Sequence, residues 1–168
     1  MTSATPAPDL ANLQLGALPL TEITKLSGLE IFQHMKEGKL PAPPIMVTMQ
    51  IFLETAEAGR AVFRGNPGKA HMNPQGTVHG GWISTILDTS MSCAVHTELK
   101  PGEIYTTTSL TVNMVRPLMP GSGEVRCEGL VAHRGSRLAT AEGRLVDAKG
   151  KLIAHGTVTC MIFPLQTA

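Results

Sequence analysis

The sequence predicts an α+β fold in which an antiparallel β-sheet wraps around one long central helix. Two glycines near the middle of the chain precede a segment whose apolar residues recur at helical spacing. Four strand-like runs follow that segment, separated by short turns. With 168 residues, 42% of them hydrophobic, the chain is long enough for one well-buried domain and short for two.

The first part of the chain is predicted to form an extension and a short helix. The opening residues are rich in Ala, Pro, Thr and Leu without a sustained period, which predicts a loosely ordered N-terminal extension over residues 1–27. A single domain is expected over residues 28–168. Ser27 with Glu30 three residues later is typical of a capping box, so we expect a short helix that ends at Gly38.

A hairpin is predicted next. Three prolines within residues 41–44 predict an extended connector. Apolar and β-branched residues over 46–55 and 60–64 predict two strands, joined by a turn at residues 57–59. The segment after them, up to residue 78, is expected to be a loop.

The central helix is predicted from Trp82 onward and should run for about four to five turns. Its apolar stripe consists of Ile83, Ile86, Leu87 and Ala94. After it, strands are expected over residues 104–116, 123–133, 137–147 and 151–163, as an antiparallel meander.

Asp88 is the one formally charged side chain between Ala70 and Thr97. It lies opposite the apolar stripe, on a side of the helix that is otherwise small or uncharged: Gly81, Ser84, Ser92 and Val95. A surface helix normally exposes charged residues on such a side, so we expect this side to contact a protein surface or a ligand. The alternative is that Asp88 only caps a turn or accepts hydrogen bonds from backbone amides.

A spaced motif precedes and includes this carboxylate. Asn73, Gly76 and His79-Gly80-Gly81 occur in the order Asn-x-x-Gly-x-x-His-Gly-Gly, and Asp88 follows nine positions after the His. This pattern resembles the signature of the hotdog-fold acyl-CoA thioesterases of the phenylacetic-acid-degradation (PaaI-like) type. The resemblance covers about residues 28–163. It implies a hotdog fold, hydrolysis of an acyl-CoA thioester to the free acid and coenzyme A, and an active site between subunits.

The chemistry of these residues is compatible with thioester hydrolysis. The amide of Gly80 at a helix N-terminus can bind the negative charge that develops on a thioester carbonyl. Asp88 can act as a nucleophile or as the general base that activates water. Eight residues of helix separate the two by about 12 Å, so one helix cannot supply both groups to one carbonyl. We therefore expect Gly80 of one subunit to meet Asp88 of its partner in a two-fold dimer.

Three further residues are candidates for this site. His79 could be a catalytic acid, but its position before two glycines favours orientation of the oxyanion loop. Asn73 could merely start a turn, or its amide could hold His79 or the attacking water, and the resemblance favours the second. The hydroxyls around Thr107 fit ordinary strand propensity, whereas the resemblance places a Ser or Thr near Thr107 close to the carboxylate.

The turn Arg134-Gly135-Ser136-Arg137 is a candidate site for the coenzyme A part of the substrate, because it offers two guanidinium groups and backbone amides. The alternative is a solvated hairpin tip. Coenzyme A is part of the substrate, so no separate cofactor is expected.

Composition restricts the other partners. The 14 basic and 13 acidic residues are scattered and give a net charge of +1, which argues against nucleic-acid or membrane-surface binding. Cys93, Cys127 and Cys160 form no Cys-x-x-Cys pair, and the histidines show no ligand spacing, so we expect reduced thiols and no metal. We expect a soluble cytoplasmic homodimer, with a dimer of dimers (homotetramer) as the higher assembly.

Two other functions compete with thioester hydrolysis. A hotdog hydratase or dehydratase acting on acyl thioesters would use His79 and Asp88 as an acid/base pair. A non-catalytic module that binds acyl-CoA would keep the pocket without needing a working Asp88.

Overall fold

The computed structural model of the chain describes residues 14–165. The helices are α1 (Leu20–Ile23), α2 (Gly28–Lys36), α3 (Ile45–Met49) and α4 (Gly80–His96). The strands are β1 (Ile51–Glu57), β2 (Arg60–Gly65), β3 (Glu103–Met114), β4 (Val125–Arg134), β5 (Leu138–Val146) and β6 (Leu152–Pro164). One six-stranded sheet packs around α4, which confirms the predicted α+β fold.

The start of the described chain contacts the rest of the domain. Leu15 forms a parallel bridge with Ala42, and the amide of Gly102 donates to the carbonyl of Ile23. Part of the predicted extension, residues 1–13, lies outside the described residues. The domain boundary at residue 27 stays a prediction.

The predicted capping box at the start of α2 is present. Ser27 Oγ accepts from the amide of Glu30, and Glu30 Oε2 accepts from the amide of Ser27 at 2.8 Å. The aromatic ring of Phe32 then contacts the imidazole of His96, with ring centroids 5.0 Å apart. α2 is thereby held against the C-terminal end of α4.

The strand predicted over residues 46–55 is wrong in its first half. Ile45–Met49 is the helix α3, and Gln50 ends it in a left-handed conformation with φ of 53°. Pro44 adopts helical backbone angles just before this helix, where a proline is preorganised for a first turn. A continuous apolar run carries no periodicity that distinguishes helix from strand, so the sequence pattern could not separate the two.

The sheet order is β1-β2-β4-β5-β6-β3, and every neighbouring pair is antiparallel. The predicted meander is therefore right for β4 to β6 and wrong for β3, which pairs with β6 at the opposite edge from β1. The segment between β3 and β4, residues 115–124, contains Pro117 and Pro120 and is too long for a tight hairpin. It instead carries the chain across to pair β4 with β2.

Two glycines let α4 lie close against the sheet. Gly129 of β4 is paired with Gly143 of β5 beneath the helix. A Cβ atom on Gly129 would lie 2.2 Å from the carbonyl oxygen of Ser90, and one on Gly143 would lie 2.7 Å from Met91 Cγ. The predicted apolar stripe of α4 is buried on this side: Ile83, Ile86, Leu87 and Ala94.

Replacing Gly129 with Ala is expected to lower the free energy of unfolding by about 1 to 3 kcal/mol, as overpacking does. The obstacle is the backbone of α4 at Ser90, which cannot rotate away as a side-chain tip could. The midpoint of urea unfolding measures the effect. Gly68→Ala is the matched control, because its φ is −104° and a Cβ there would meet no atom within 4 Å. Equal midpoints for the two variants would contradict the prediction.

Candidate active site

His79 and the two glycines after it form the first turn of α4. The amide of Gly81 donates to Nδ1 of the His79 ring at 2.8 Å, so the ring caps the helix. The amide of Gly80 has no acceptor among residues 14–165. Gly80 itself is partly exposed, and a Cβ there would meet only the tip of the Met114 side chain. Of the two glycine amides, the one at Gly80 is therefore available to a ligand.

Asn73 organises the loop that leads to this turn. Its Oδ1 accepts from the amides of Gln75 and Thr77, at 3.0 and 3.1 Å, and its Nδ2 donates to Thr77 Oγ1 at 2.8 Å. Within the described part of the chain, no hydrogen bond joins Asn73 to His79. The contacts of Asn73 in the described residues are those of the turn-forming alternative, and its role in holding the attacking water stays a prediction. One Nδ2 proton of Asn73 is left over by these bonds.

Asp88 of α4 lies opposite the apolar stripe and forms a hydrogen bond with Thr107 of β3. Thr107 Oγ1 donates to Asp88 Oδ1 at 3.0 Å. A β-bulge follows Thr107 in the pairing of β3 with β6, and the extra residue, Thr108, donates its hydroxyl to the carbonyl of Thr159 instead. A bulge changes the direction in which the neighbouring side chains point. Of the run of hydroxyls on β3, the one at Thr107 is thus the one joined to the carboxylate.

The surroundings of Asp88 favour its neutral form. Burial raises the pKa of its carboxyl group, and the hydrogen bond from Thr107 opposes part of that rise. The carboxylate is only partly covered, so it remains accessible from one side. A carboxylate in such a position is more basic than one in water, as a general base requires.

The nearby thiols and phenol are protonated at neutral pH. Burial, with a further contribution from the charge of Asp88, raises the pKa of the Cys93 thiol to about 12. Burial also raises the pKa of Tyr105. No disulfide joins the three cysteines of the described chain. Of these carboxyl, thiol and phenol groups, Asp88 is therefore the one with the chemistry of a base or nucleophile at neutral pH.

Gly80 and Asp88 both belong to the continuous helix α4, eight residues apart. At 1.5 Å per residue, they are separated by about 12 Å along the helix axis. A reacting carbonyl must lie within about 3.5 Å of its attacker. The two groups of one chain therefore cannot act on the same carbonyl.

The turn predicted to bind coenzyme A is mostly occupied by internal contacts. The guanidinium group of Arg134 forms an ion pair with Glu103 and also donates to the carbonyl of Gly135. The amide of Gly135 donates to the carbonyl of Leu138. The expectation of an available guanidinium group is therefore wrong for Arg134, and the expectation of a free amide is wrong for Gly135. Ser136 and Arg137 are exposed at the tip of the β4–β5 hairpin.

Sequence reasoning missed a cavity of about 330 Å³ beside α4. Its walls come from α2, α3, β1, β2 and one edge of α4, where Thr85, Thr89 and Cys93 line it. Trp82 and Met91, the largest apolar residues of α4, lie in the core at 2% and 0% exposure and line no part of it. The cavity was not predicted because the sequence pattern assigns residues 46–49 to a strand. The methionines in that region were a signal for it, because methionine is common in adaptable binding surfaces.

Two other kinds of feature are absent from residues 14–165. No group of three or more His, Cys, Asp or Glu residues there could hold a metal ion. None of the helices in that range combines the length and the apolar character needed to cross a bilayer.

Comparison with known proteins gives a fold and a similarity to one superfamily. Residues 75–154 match the sequence model of the thioesterase superfamily. No curated protein matches the chain at a significant level. A solved structure of a phenylacetic acid degradation-related protein of thioesterase type from Ralstonia eutropha JMP134 shares 29% identity, with a TM-score of 0.72 over 77% of this chain and 98% of that one.

Two further solved structures have the same architecture. A variant of the phenylacetic acid degradation protein PaaI from Thermus thermophilus shares 27% identity, with a TM-score of 0.64 over 70% of this chain and 97% of that one. The PaaI protein from the phenylacetic acid degradation operon of E. coli shares 19% identity, with a TM-score of 0.63 over 69% of this chain and 86% of that one, and supports the fold alone. With its sheet wrapped around α4 and a matching sequence model over residues 75–154, the chain has the hotdog fold and is similar to thioesterases of the PaaI-like type.

Proposed function

We propose that this protein hydrolyses an acyl-CoA thioester to the free acid and coenzyme A, with Asp88 as the nucleophile or general base and the Gly80 amide of the partner subunit as the oxyanion donor. The observation that carries the proposal is the partly buried carboxylate of Asp88, joined to Thr107, on the same helix as a glycine amide that has no acceptor within residues 14–165. The match of residues 75–154 to the thioesterase superfamily model supports the reaction type.

The dimer in this proposal forms along β3. This strand lies at the edge of the sheet and pairs only with β6 among the described residues. An unpaired strand edge of this length is a template for a second strand. Apolar side chains exposed along it and just beyond it, Leu110, Met114 and Val115, add area that a partner would bury. The side-chain tip of Met114 lies beside Gly80, since a Cβ built there would be 3.0 Å from Met114 Cε. In this proposal the same interface therefore brings the start of the partner's α4 to Asp88.

The chemical steps follow from these two groups. In one route Asp88 takes a proton from water, and the resulting hydroxide attacks the thioester carbon. In the other route the Asp88 carboxylate itself attacks, and water then hydrolyses the mixed anhydride. In both routes the carbonyl oxygen gains negative charge, which the Gly80 amide stabilises, and the C–S bond breaks to release the thiolate, which is then protonated.

The remaining residues support these groups in the proposal. Thr107 holds Asp88 in position by its hydrogen bond. His79 occupies the Gly81 amide and so fixes the first turn of α4, which leaves Gly80 directed at the substrate. Asn73 shapes the loop before His79. Of the predicted coenzyme A site, the exposed Arg137 is the group that we assign to the phosphates, because Arg134 is paired with Glu103.

Replacing Asp88 with Asn is expected to lower the rate of thiol release by about 10²- to 10⁴-fold, because the amide is neither a base nor a useful nucleophile. A thiol-trapping assay measures the rate, and gel filtration checks that the protein keeps its oligomeric state. Asp147→Asn is the matched control, since that carboxylate lies in the β5–β6 turn and bonds to the amides of Lys149 and Lys151. Unchanged turnover in the Asp88 variant would remove the mechanism.

Replacing Thr107 with Val is expected to move the acidic limb of the pH–rate profile to higher pH. Asp88 acts in its ionised form, so the rate falls as the pH falls through its pKa. The Thr107 hydroxyl lowers that pKa, and its removal therefore raises it. Thr106→Val is the control, because Thr106 is exposed on the other face of β3. Superimposable profiles for the wild type and the Thr107 variant would refute this role.

Replacing Gly80 with Pro tests the oxyanion donor directly, because proline lacks the amide proton and is well suited to the first position of a helix. His79, with φ −62° and ψ 138°, already has the backbone that precedes a proline. We expect kcat to fall by about 10²- to 10³-fold. Gly80→Ala keeps the amide and adds a similar Cβ, so it should retain most of the activity.

Mixing the two inactive variants tests the exchange between subunits. A mixed dimer of the Gly80→Pro and Asp88→Asn chains has one site with both native residues if the groups act in trans. After random subunit exchange, about a quarter of wild-type activity should return. No recovery, with exchange verified by native mass spectrometry, would place both groups in one subunit and contradict the proposed dimer.

A further inference from the structure

The cavity beside α4 is lined by residues of the helical turn that carries Asp88, although Asp88 itself is not among them. Thr85, Thr89 and Cys93 line it from one edge of α4, spaced four residues apart. On the surface of a helix, Asp88 is adjacent to that edge, three residues after Thr85 and one before Thr89. Burial raises the pKa of the Cys93 thiol on the cavity wall, and the charge of Asp88 adds to that rise. A thioester carbonyl at Asp88 would have this cavity beside it.

The lining of the cavity suits an apolar group and not the coenzyme. Most of the lining is apolar, and its largest members are three aromatic rings and three thioethers: Phe32, Phe52, Phe63, Met35, Met46 and Met49. The three charged groups on the wall are engaged with protein atoms. Lys36 Nζ donates to the carbonyl of Glu54, the Glu54 carboxylate accepts from Arg126, and Arg64 forms an ion pair with Glu124. Phosphates and adenine would lose hydration there without gaining partners.

We propose that this cavity binds the acyl group of the substrate, and that the enzyme is therefore selective for thioesters of apolar acyl groups of medium length, with about eight to twelve carbons. The inference rests on the proposed thioesterase function and adds its substrate class. An apolar cavity of about 150 Å³ accommodates one benzene ring, with six carbons. This cavity has about 330 Å³, which gives room for roughly twice as many.

The helix α3 forms the wall that sets the size of the site. It is five residues long, and methionine side chains from it fill irregular spaces because they are flexible. Its C-terminal end is attached to the rest of the site, since Trp82 Nε1 donates to the carbonyl of Met49 at 2.7 Å and His71 Nε2 lies 3.1 Å from the carbonyl oxygen of Thr48. α3 also precedes the part of the chain that matches the family model, residues 75–154. The selectivity for acyl length is thus a property of the N-terminal segment of this protein.

A series of saturated acyl-CoA substrates from butyryl to palmitoyl tests the proposal by kinetics. Each methylene buried in the cavity is expected to raise kcat/KM by about fourfold until the cavity is full, after which the values level off or fall. Met46→Trp, which fills the cavity, should lower the ratio of decanoyl-CoA to butyryl-CoA activity at least about tenfold. Met161→Trp is the matched control, because Met161 is 46% exposed on the outer face of β6. A flat series, or equal ratios in the two variants, would overturn the proposal.

The variant Met46→Ala provides the opposite change and cannot overpack the site, because it only removes atoms from a partly exposed position. This variant should move the maximum of kcat/KM to acyl groups longer than the one that the wild type prefers. An optimum that stays at the wild-type length would count against Met46 as the limit of the cavity.

Binding to the Asp88→Asn protein separates this proposal from the proposed reaction. Calorimetric titration should give a dissociation constant for decanoyl-CoA at least about tenfold lower than that for butyryl-CoA, whether or not the native protein hydrolyses either compound. Equal affinities would refute the acyl site while leaving hydrolysis intact. Selective binding, together with native protein that hydrolyses no acyl-CoA in the series, would retain the acyl site and refute the thioesterase.

Discussion

The close approach of α4 to the sheet is the constraint on which the rest of the structure depends. Gly129 and Gly143 leave no side chain between the strands and the helix backbone at Ser90 and Met91. The helix therefore presents one side to the core, whereas Asp88, on the other side, stays only partly buried. Thr107, on the edge strand β3, is the group that reaches this side and meets the carboxylate.

Much of this arrangement was predictable from the sequence because the signals were local. The lone carboxylate of Asp88 and the His-Gly-Gly start of α4 are spaced along a single helix, and helical geometry alone fixes which side each residue occupies. The capping box at Ser27 is equally local. Spacing and local chemistry therefore located α4, its buried stripe and the candidate pair Gly80 and Asp88.

The features that were missed depend on contacts between distant parts of the chain. The position of β3 next to β6 could not be read from strand order, because consecutive strands are neighbours only about two-thirds of the time. Arg134 was expected to be available, but Glu103, 31 residues away, neutralises it. The cavity was missed because it exists only where α2 and α3 meet β1 and α4. Pairing, ion pairs and cavities are tertiary properties that a periodic pattern does not contain.

In the proposed dimer, the edge strand β3 would link assembly to the chemistry of Asp88. Its free edge is the surface along which a second copy would add, and its Thr107 hydroxyl holds the carboxylate. In one chain Asp88 is only partly covered, and burial already raises its pKa. A partner packed along β3 would remove further water from the carboxylate, which would raise that pKa again and make the ionised form a stronger base. The same event would bring the partner's Gly80 amide to the carbonyl. An isolated subunit would thus lack the partner's oxyanion donor, and its Asp88 carboxylate would be less basic. The proposed reaction would therefore be confined to the assembled protein.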